Sequence, residues 1–487
     1  MTAAPDTATF DSLAPVGGDV VATFPVDGPV EVAAAVARAR AAATWWAAIG
    51  PSDRRHRLDG WKALIAARLP ELAALVTREG GKPLGDAQLE LTLAVDHIAW
   101  AARNAQRVLG ERRIPSGLLM ANQAATLAYH PLGVVGVIGP WNYPVFTPMG
   151  SIAYALAAGN AVVFKPSEYT PAVGRWLVDS FAEVVPEQPV LQLVTGFGET
   201  GAALCRAGVG KIAFTGSART GRRVMAACAE TLTPVLMECG GKDALIVDDD
   251  ADVAAAADAA LWGGMANAGQ TCIGIERVYA TEAVYDAFLA ALTARARDLV
   301  PGTSYGPITM PGQVEVISRH IADALAHGGT AATGGGVDGG LVQPTILTGV
   351  PEDSSAVTEE TFGPTLTVTR VRDADQAVEL ANATSYGLAG AVFSRARGME
   401  LARRLTCGMT SVNSVLSFAG VPGLPFGGSG DSGFGRIHGD DGLREFSRAK
   451  SITPQRFALP LPLMSFDRTP LVDKLLLRAV RLLHGRA

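Results

Sequence analysis

Five short runs rich in β-forming residues punctuate the middle of the chain: LGVVGVIGP (132–140), NAVVFKP (160–166), PVLQLV (189–194), KIAFTG (211–216) and TPVLMECGG (233–241). Gly or Pro bounds each run, and helix-like segments lie between them. Strands that alternate with helices leave few folds open. They imply parallel sheets joined by right-handed crossovers. A second alternating set follows Lys242, in DALIVDDD, ERVYATEAVYDAFLAAL, QPTILTGV, TLTVTRV and GLAGAVFS. The fold class read here is therefore α/β in two domains. A chain of 487 residues is in any case too long for one core, since domains hold about 100–200 residues. Ahead of the strands, residues 29–48 and the stretch from Ser52 to about Leu109 read as helical.

One segment imitates a membrane span. No charged residue occurs from Pro131 to Phe164. Pro131, Pro140, Pro144 and Pro148 interrupt it, and each Pro inside a helix costs about 3 kcal/mol. A buried strand, a loop and a buried helix are expected instead. The net charge of −6 offers no basic field to nucleic acid. Five cysteines at irregular spacing, with no C-x-x-C, speak against a disulfide framework or a metal knuckle, and no metal site is read. The N-terminus, MTAAPDTATFDS, has no basic segment followed by an apolar one. These features predict a cytoplasmic protein.

Two glycine-containing loops compete for a phosphate. GFGETG (196–201) has the G-x-G-x-x-G spacing, but the next acidic residue after Glu199 is Glu230, too far on to hold a ribose. It reads as a turn. FTGSARTGRRV (214–224) runs from a strand into a helix, with Gly216 and Ser217 at the junction, where free N–H groups would meet a pyrophosphate.

Three residues suggest chemistry. Cys272, in GQTCIG, has small neighbours that would admit a substrate to a thiolate, although a free cysteine is more often structural. Glu238 ends a β-rich run, where burial would raise its pKa towards that of a general base; a paired structural carboxylate is the plainer reading. Asn142, in PWNYP, could donate to an oxyanion or simply serve a turn.

PWNYP, FKPSEYTP, FTGS, ECGGK, GQTC, EETFGP and PFGGSGDSGFGR occur in that order across 140–436. In this the chain resembles the NAD(P)-dependent aldehyde dehydrogenase superfamily, from about Val20 to about Phe457. The resemblance implies a Rossmann-like cofactor domain (1–121 and 138–240), an α/β catalytic domain (241–435) and a small β oligomerisation arm (122–137 and 446–457). An amphipathic tail (458–487) would follow. It implies Cys272 as nucleophile, Asn142 and the Cys272 backbone N–H as oxyanion donors, and Glu238 as the base that activates water. Ile138, Trp141, Lys165, Ser167, Glu168, Gly216, Ser217, Glu360 and Phe362 would hold the cofactor. A carboxylate at Glu168 repels a 2′-phosphate, so NAD is favoured over NADP. A homodimer or homotetramer is expected.

The chain departs from the family pattern at Cys239 and Thr361, where aliphatic residues are usual. It departs again at Ser151 and Ile437, where many members carry Lys and Glu. His438 follows Ile437 and is expected to be a core or surface histidine. For substrate, neither WNYPVFTPMGSIAYALAAGN nor SVNSVLSFAGVPGLPFGG contains a basic residue. An unpaired buried carboxylate would cost several kcal/mol. A tunnel formed by Phe146, Thr147, Thr271, Ile273, Leu416 and Phe418 therefore predicts a neutral aliphatic or aromatic aldehyde. The alternatives are a succinic semialdehyde dehydrogenase, a CoA-acylating or cysteine acyl-transfer enzyme, and a non-catalytic scaffold. In the tail, Leu471, Val472, Leu475, Leu476, Ala479, Val480, Leu482 and Leu483 share one face of a predicted 470–487 helix, with Lys474, Arg478 and Arg481 on the other. Such a helix can pack on a neighbouring subunit, cover the tunnel mouth, or lie on an anionic membrane as a peripheral contact.

Overall fold

A computed structural model describes residues 8–459 and 461–485. Met1–Thr7 of the N-terminal reading, and residues 460, 486 and 487 of the tail, lie outside the described residues. The chain forms two compact units, residues 1–108 with 131–447, and residues 109–130 with 448–487.

Among the described residues, the large unit is organised on two large sheets, with three two-stranded ones beside them. In the first, the strand order is Gly433–Phe434, Val235–Cys239, Lys211–Gly216, Val134–Ile138, Ala161–Lys165 and Leu191–Leu193. The last five strands run parallel, and Gly433–Phe434 is antiparallel to Val235–Cys239. Val134–Ile138 and Ala161–Lys165 are buried throughout, as apolar runs covered by helices on both faces must be. The uncharged stretch thus resolves into the strand Val134–Ile138, the helix Phe146–Ala157 and the strand Ala161–Lys165. Ahead of them stand the helices Pro29–Ala48, Gly50–Ala67, Leu69–Gly80 and Leu84–Leu109.

The second sheet has seven strands in the order Thr330–Thr333, Thr345–Thr348, Thr365–Val371, Ile275–Thr281, Asp243–Val247, Ala389–Phe393 and Met409–Val412. Its core includes Leu245, Val278, Phe288, Leu366 and Phe393.

The small unit is built on a three-stranded sheet of Ser447–Ile452, Ala125–Pro131 and Arg112–Ile114. Here the expected arm of 122–137 is corrected. Val134–Ile138 is a central strand of the six-stranded sheet, because VVGVI is apolar on both faces, whereas Arg112–Ile114 joins the arm. The helix Pro470–His484 closes the described chain, and Val472 is its buried residue.

Candidate active site

In an open parallel sheet, ligands bind at the carboxyl ends of strands where the strand order reverses. Here the reversal falls between Val134–Ile138 and Lys211–Gly216, since the chain winds outward from Val134–Ile138 to Leu191–Leu193 and then crosses back to Lys211–Gly216 on the other side. Register then sets the residues of the crevice. Ile138 is paired with Lys165 and with Phe214, Thr215 with Glu238, and Gly216 with Cys239. Ser217 follows at once and caps the helix Ala218–Ala229, its Oγ accepting from the Thr220 N–H at 3.3 Å. That helix N-terminus is exposed. Lys165 is buried, its Nζ donating to the Pro166 carbonyl at 3.0 Å and lying 3.8 Å from Glu168. Ser167 Oγ donates to Glu168 at 3.4 Å.

GFGETG lies at the sheet edge instead, after Leu191–Leu193. The chain's own N-terminal region fills its surroundings. Thr200 Oγ1 donates to the Asp27 carbonyl at 2.7 Å, and Phe197 packs on Phe10 with ring centroids 5.0 Å apart.

Cys272 sits in the loop before Ile275–Thr281. Asn267, Ala268 and Gly269 turn this loop with φ of 53°, 57° and 70°. Left-handed backbone at two non-glycine residues is strained, and tertiary contacts must hold it. Gln270 supplies several. Its Nε2 donates to the Asn267 carbonyl at 3.0 Å, and its Oε1 accepts from the Thr309 N–H at 2.8 Å. Asn142 Nδ2 donates to the Gln270 carbonyl at 2.9 Å, a bond that uses one of its two N–H groups. Cys272 is half-buried. Burial, with the nearby carboxylates of Glu238, Glu360 and Asp243, holds its thiol above the ordinary value.

Glu238 is 3% exposed, and neither carboxylate oxygen has a hydrogen-bond partner among the described residues. Burial pushes its carboxyl well above the ordinary range, with Arg436 opposing the shift. A Cβ built at Gly427 would stand 2.8 Å from Glu238 Oε1, so the carboxyl lies against bare backbone. Glu360 approaches just as closely. Its carboxylate occupies the space a side chain at Gly240 would need, and Oε1 accepts from the Gly241 N–H at 3.2 Å. Burial pushes its pKa up to about 8. Phe362 has φ 52° and meets Trp141 edge-on, with centroids 5.6 Å apart.

Two buried ion pairs brace these loops, and neither was legible in the motifs. Lys82 Nζ donates to Glu90 Oε2 at 2.6 Å and to the Asn142 carbonyl at 2.7 Å. Glu90 Oε1 accepts from the Val145 and Phe146 N–H groups at 2.8 and 3.1 Å, which caps the helix Phe146–Ala157. Lys242 pairs with Glu276 and donates to Thr361 Oγ1 at 3.0 Å. Glu276 in turn accepts from the Phe362 N–H at 2.8 Å. Thr361 thus has a polar task, shared with His320 Nδ1 at 3.0 Å, that an aliphatic residue could not perform.

A cavity of about 100 Å³ opens beside Cys272. Phe146, Thr147, Thr271, Ile273 and Leu416 of the expected tunnel line it. Phe418 does not, which corrects that expectation. The short turn Ser417–Gly420 packs its ring behind Phe426, centroids 6.4 Å apart, and Phe426 forms the wall. Leu93 and Trp262 add apolar surface. The charged lining residues are Asp86 and Glu90, and no Lys, Arg or His contributes. Ser151 and Ile437 are buried. His438 is buried too, its ring tilted at 48° to that of His97 with centroids 3.8 Å apart, and desolvation pushes its pKa well below the ordinary value. It packs in an aromatic cluster with Phe146, Phe426 and Tyr154.

A doubly wound sheet with an anion-ready helix end, beside a cysteine and a desolvated carboxyl, defines a nucleotide-linked enzyme of the α/β class. The chain belongs to the aldehyde dehydrogenase family, whose model matches residues 2–452. The 4,4'-diapolycopene aldehyde oxidase of a Methylomonas species is 36% identical over 93% of this chain and 87% of its own. The glutarate-semialdehyde dehydrogenase of Pseudomonas putida is 35% identical, over 90% and 92%. Among solved structures, the NAD-dependent aldehyde dehydrogenase from Sinorhizobium meliloti superposes with a TM-score of 0.89. It is 34% identical and covers 94% of this chain and 93% of that one.

Proposed function

We propose that this chain oxidises a neutral, hydrophobic aldehyde to its carboxylic acid, with NAD as hydride acceptor and a thioester on Cys272 as intermediate. The observation that carries the substrate reading is the cavity at Cys272, walled by Phe146, Trp262, Leu416 and Phe426 and free of any cation. Lys82 is the nearby base, but Glu90 already holds it, and Asp86 draws on the same charge. A distal carboxylate would therefore face a net negative wall. That disfavours succinate or glutarate semialdehyde, although relatives are named for such substrates. Another relative is named as a 4,4'-diapolycopene aldehyde oxidase, so the family's named substrates are not confined to semialdehydes.

The residues at the crevice fit a dinucleotide. Ser217 and the exposed helix end behind it suit a pyrophosphate. Lys165 and Glu168 suit the adenosine ribose, and Glu168 disfavours the extra phosphate of NADP. Ile138 and Trp141 flank the site, with Glu360 and Phe362 at the nicotinamide end. The chemistry that bound NAD supplies is hydride acceptance.

The chain's own residues do the rest. Cys272 gives up its thiol proton to solvent, and the thiolate Sγ adds to the carbonyl carbon as the C=O π bond opens. The resulting alkoxide is held by Asn142 Nδ2 and the Cys272 backbone N–H, and one such donor is worth about 10²–10³ in rate. After oxidation, the adduct is a thioester. Glu238, once ionised, takes a proton from water, the oxygen adds to the thioester, and the Cys272 thiolate leaves. The presence of Glu238 favours hydrolysis over transfer of the acyl group to coenzyme A. The five free cysteines suit a reducing compartment such as the cytoplasm. The arm presents Ser447–Ile452 as an edge strand suited to pairing in a homodimer or homotetramer.

The test is a substrate panel with NAD⁺. Hexanal and benzaldehyde should be turned over with high kcat/KM and glutarate semialdehyde at least tenfold less well. The reverse order would overturn the substrate reading.

A further inference from the structure

We propose that the small unit docks this protein on an anionic phospholipid surface through the helix Pro470–His484. Two independent observations support this. The first is exposed apolar area. Leu471 is 66% exposed and Leu482 81%, and Leu475, Leu477 and Val480 are uncovered as well. The segment leading into the helix adds Met464, 79% exposed, and a fully exposed Phe466. Surface this apolar marks a contact site.

The second is charge. The small unit carries ten Lys and Arg against three Asp and Glu, a net +7, so the remainder of the chain carries −13. A positive patch on a strongly negative protein complements an anionic bilayer. It fits the same helix of a second copy less well, because Lys474, Arg478 and Arg481 of the two helices would repel.

The helix geometry joins the two observations. At about 100° per residue, Leu471, Leu482 and Leu475 fall in one narrow arc, and Arg478, Lys474 and Arg481 lie directly beside it. Asp473, the helix's acidic residue, is neutralised by Arg468 at 2.8 Å. Leucines bordered by bases suit a helix lying in the headgroup plane. Among the described residues no helix is long and apolar enough to cross a bilayer, so the contact is peripheral. The docking does not depend on which aldehyde is oxidised.

Flotation with vesicles tests it, using pure phosphatidylcholine and phosphatidylcholine with about one-third phosphatidylglycerol. The full chain should float with the anionic vesicles in low salt, and with neutral vesicles at least tenfold less. Three variants should lose that binding about tenfold or more while oxidising a soluble aldehyde at the parent rate. They are a truncation after Thr469, the triple change Lys474→Glu, Arg478→Glu and Arg481→Glu, and the triple change Leu471→Ser, Leu475→Ser and Leu482→Ser. Sedimentation velocity runs in parallel. Equal flotation of parent and truncation, or no flotation of either, overturns the proposal. So does a truncation that changes only the oligomer mass, which would assign the helix to a second copy.

Discussion

Lys82 Nζ stands 2.6 Å from Glu90 Oε2 and 2.7 Å from the Asn142 carbonyl, so one buried ammonium ties the helix Leu84–Leu109 to the loop that carries Asn142. Glu90 extends the tie by capping the helix Phe146–Ala157. Breaking a buried pair from one side leaves an uncompensated charge and costs about 3–5 kcal/mol. Lys82→Met should therefore lower the thermal midpoint by several degrees and reduce kcat more than KM, as Asn142 loses its support. Glu90→Gln keeps one acceptor oxygen for the Val145 and Phe146 N–H groups but leaves the Lys82 ammonium unpaired, so it should lower the midpoint by a similar amount and reduce kcat less, because Lys82 still donates to the Asn142 carbonyl. Calorimetry and steady-state kinetics on the two variants check this order.

Asp86 is predicted to set the cavity's charge preference. Burial raises its carboxyl above the ordinary value while Lys82 opposes the shift. Asp86→Arg would place a cation where the lining has none. The kcat/KM for glutarate semialdehyde should rise at least tenfold and that for hexanal should fall. Asp86→Asn should give a smaller rise. An unchanged ratio in both variants would remove Asp86 from the specificity account.

The thiol gives a pH prediction. Burial and three carboxylates hold Cys272 in its protonated form near neutral pH. The thiolate fraction then grows about tenfold per pH unit while pH stays below the thiol pKa. Alkylation of Cys272 by iodoacetamide should climb steadily from pH 7 to 10. NAD⁺ brings a positively charged ring and should accelerate the reaction at fixed pH. Peptide mass spectrometry reads the modified site. A flat profile would mean that the thiol is already ionised.

Much of this was legible in the chain itself. The parallel strands appear as unbroken apolar runs because helices cover both faces, and the residues at their carboxyl ends follow from register. Other parts were not legible. Lys82, Glu90, Lys242 and Glu276 meet partners through tertiary contacts that no local pattern encodes. Asp86 reads in sequence as an ordinary acidic residue in the first turn of a helix, favoured there by the dipole. Phe418 was misplaced because a short turn after Leu416, itself at φ 54°, rotates its ring away from the cavity. The arm boundary shifted because VVGVI follows the arm strand after only two residues.

Glu168 yields a cofactor prediction. It is half-buried and 3.8 Å from Lys165. Glu168→Gln removes the negative charge that would meet a 2′-phosphate, and Lys165 would then be free to favour one. The ratio of kcat/KM for NADP⁺ to that for NAD⁺ should rise about tenfold. No change in the ratio would place cofactor choice elsewhere.

The account turns on Glu238, a carboxyl with no partner among the described residues, releasing an acyl group from Cys272. The most direct measurement mixes the Glu238→Gln variant with hexanal and NAD⁺ in a stopped-flow instrument, then weighs the intact protein. One equivalent of reduced cofactor should form in a burst and turnover should then stall, with a hexanoyl mass retained on Cys272. Steady turnover at the parent rate, with no adduct on that cysteine, would contradict it.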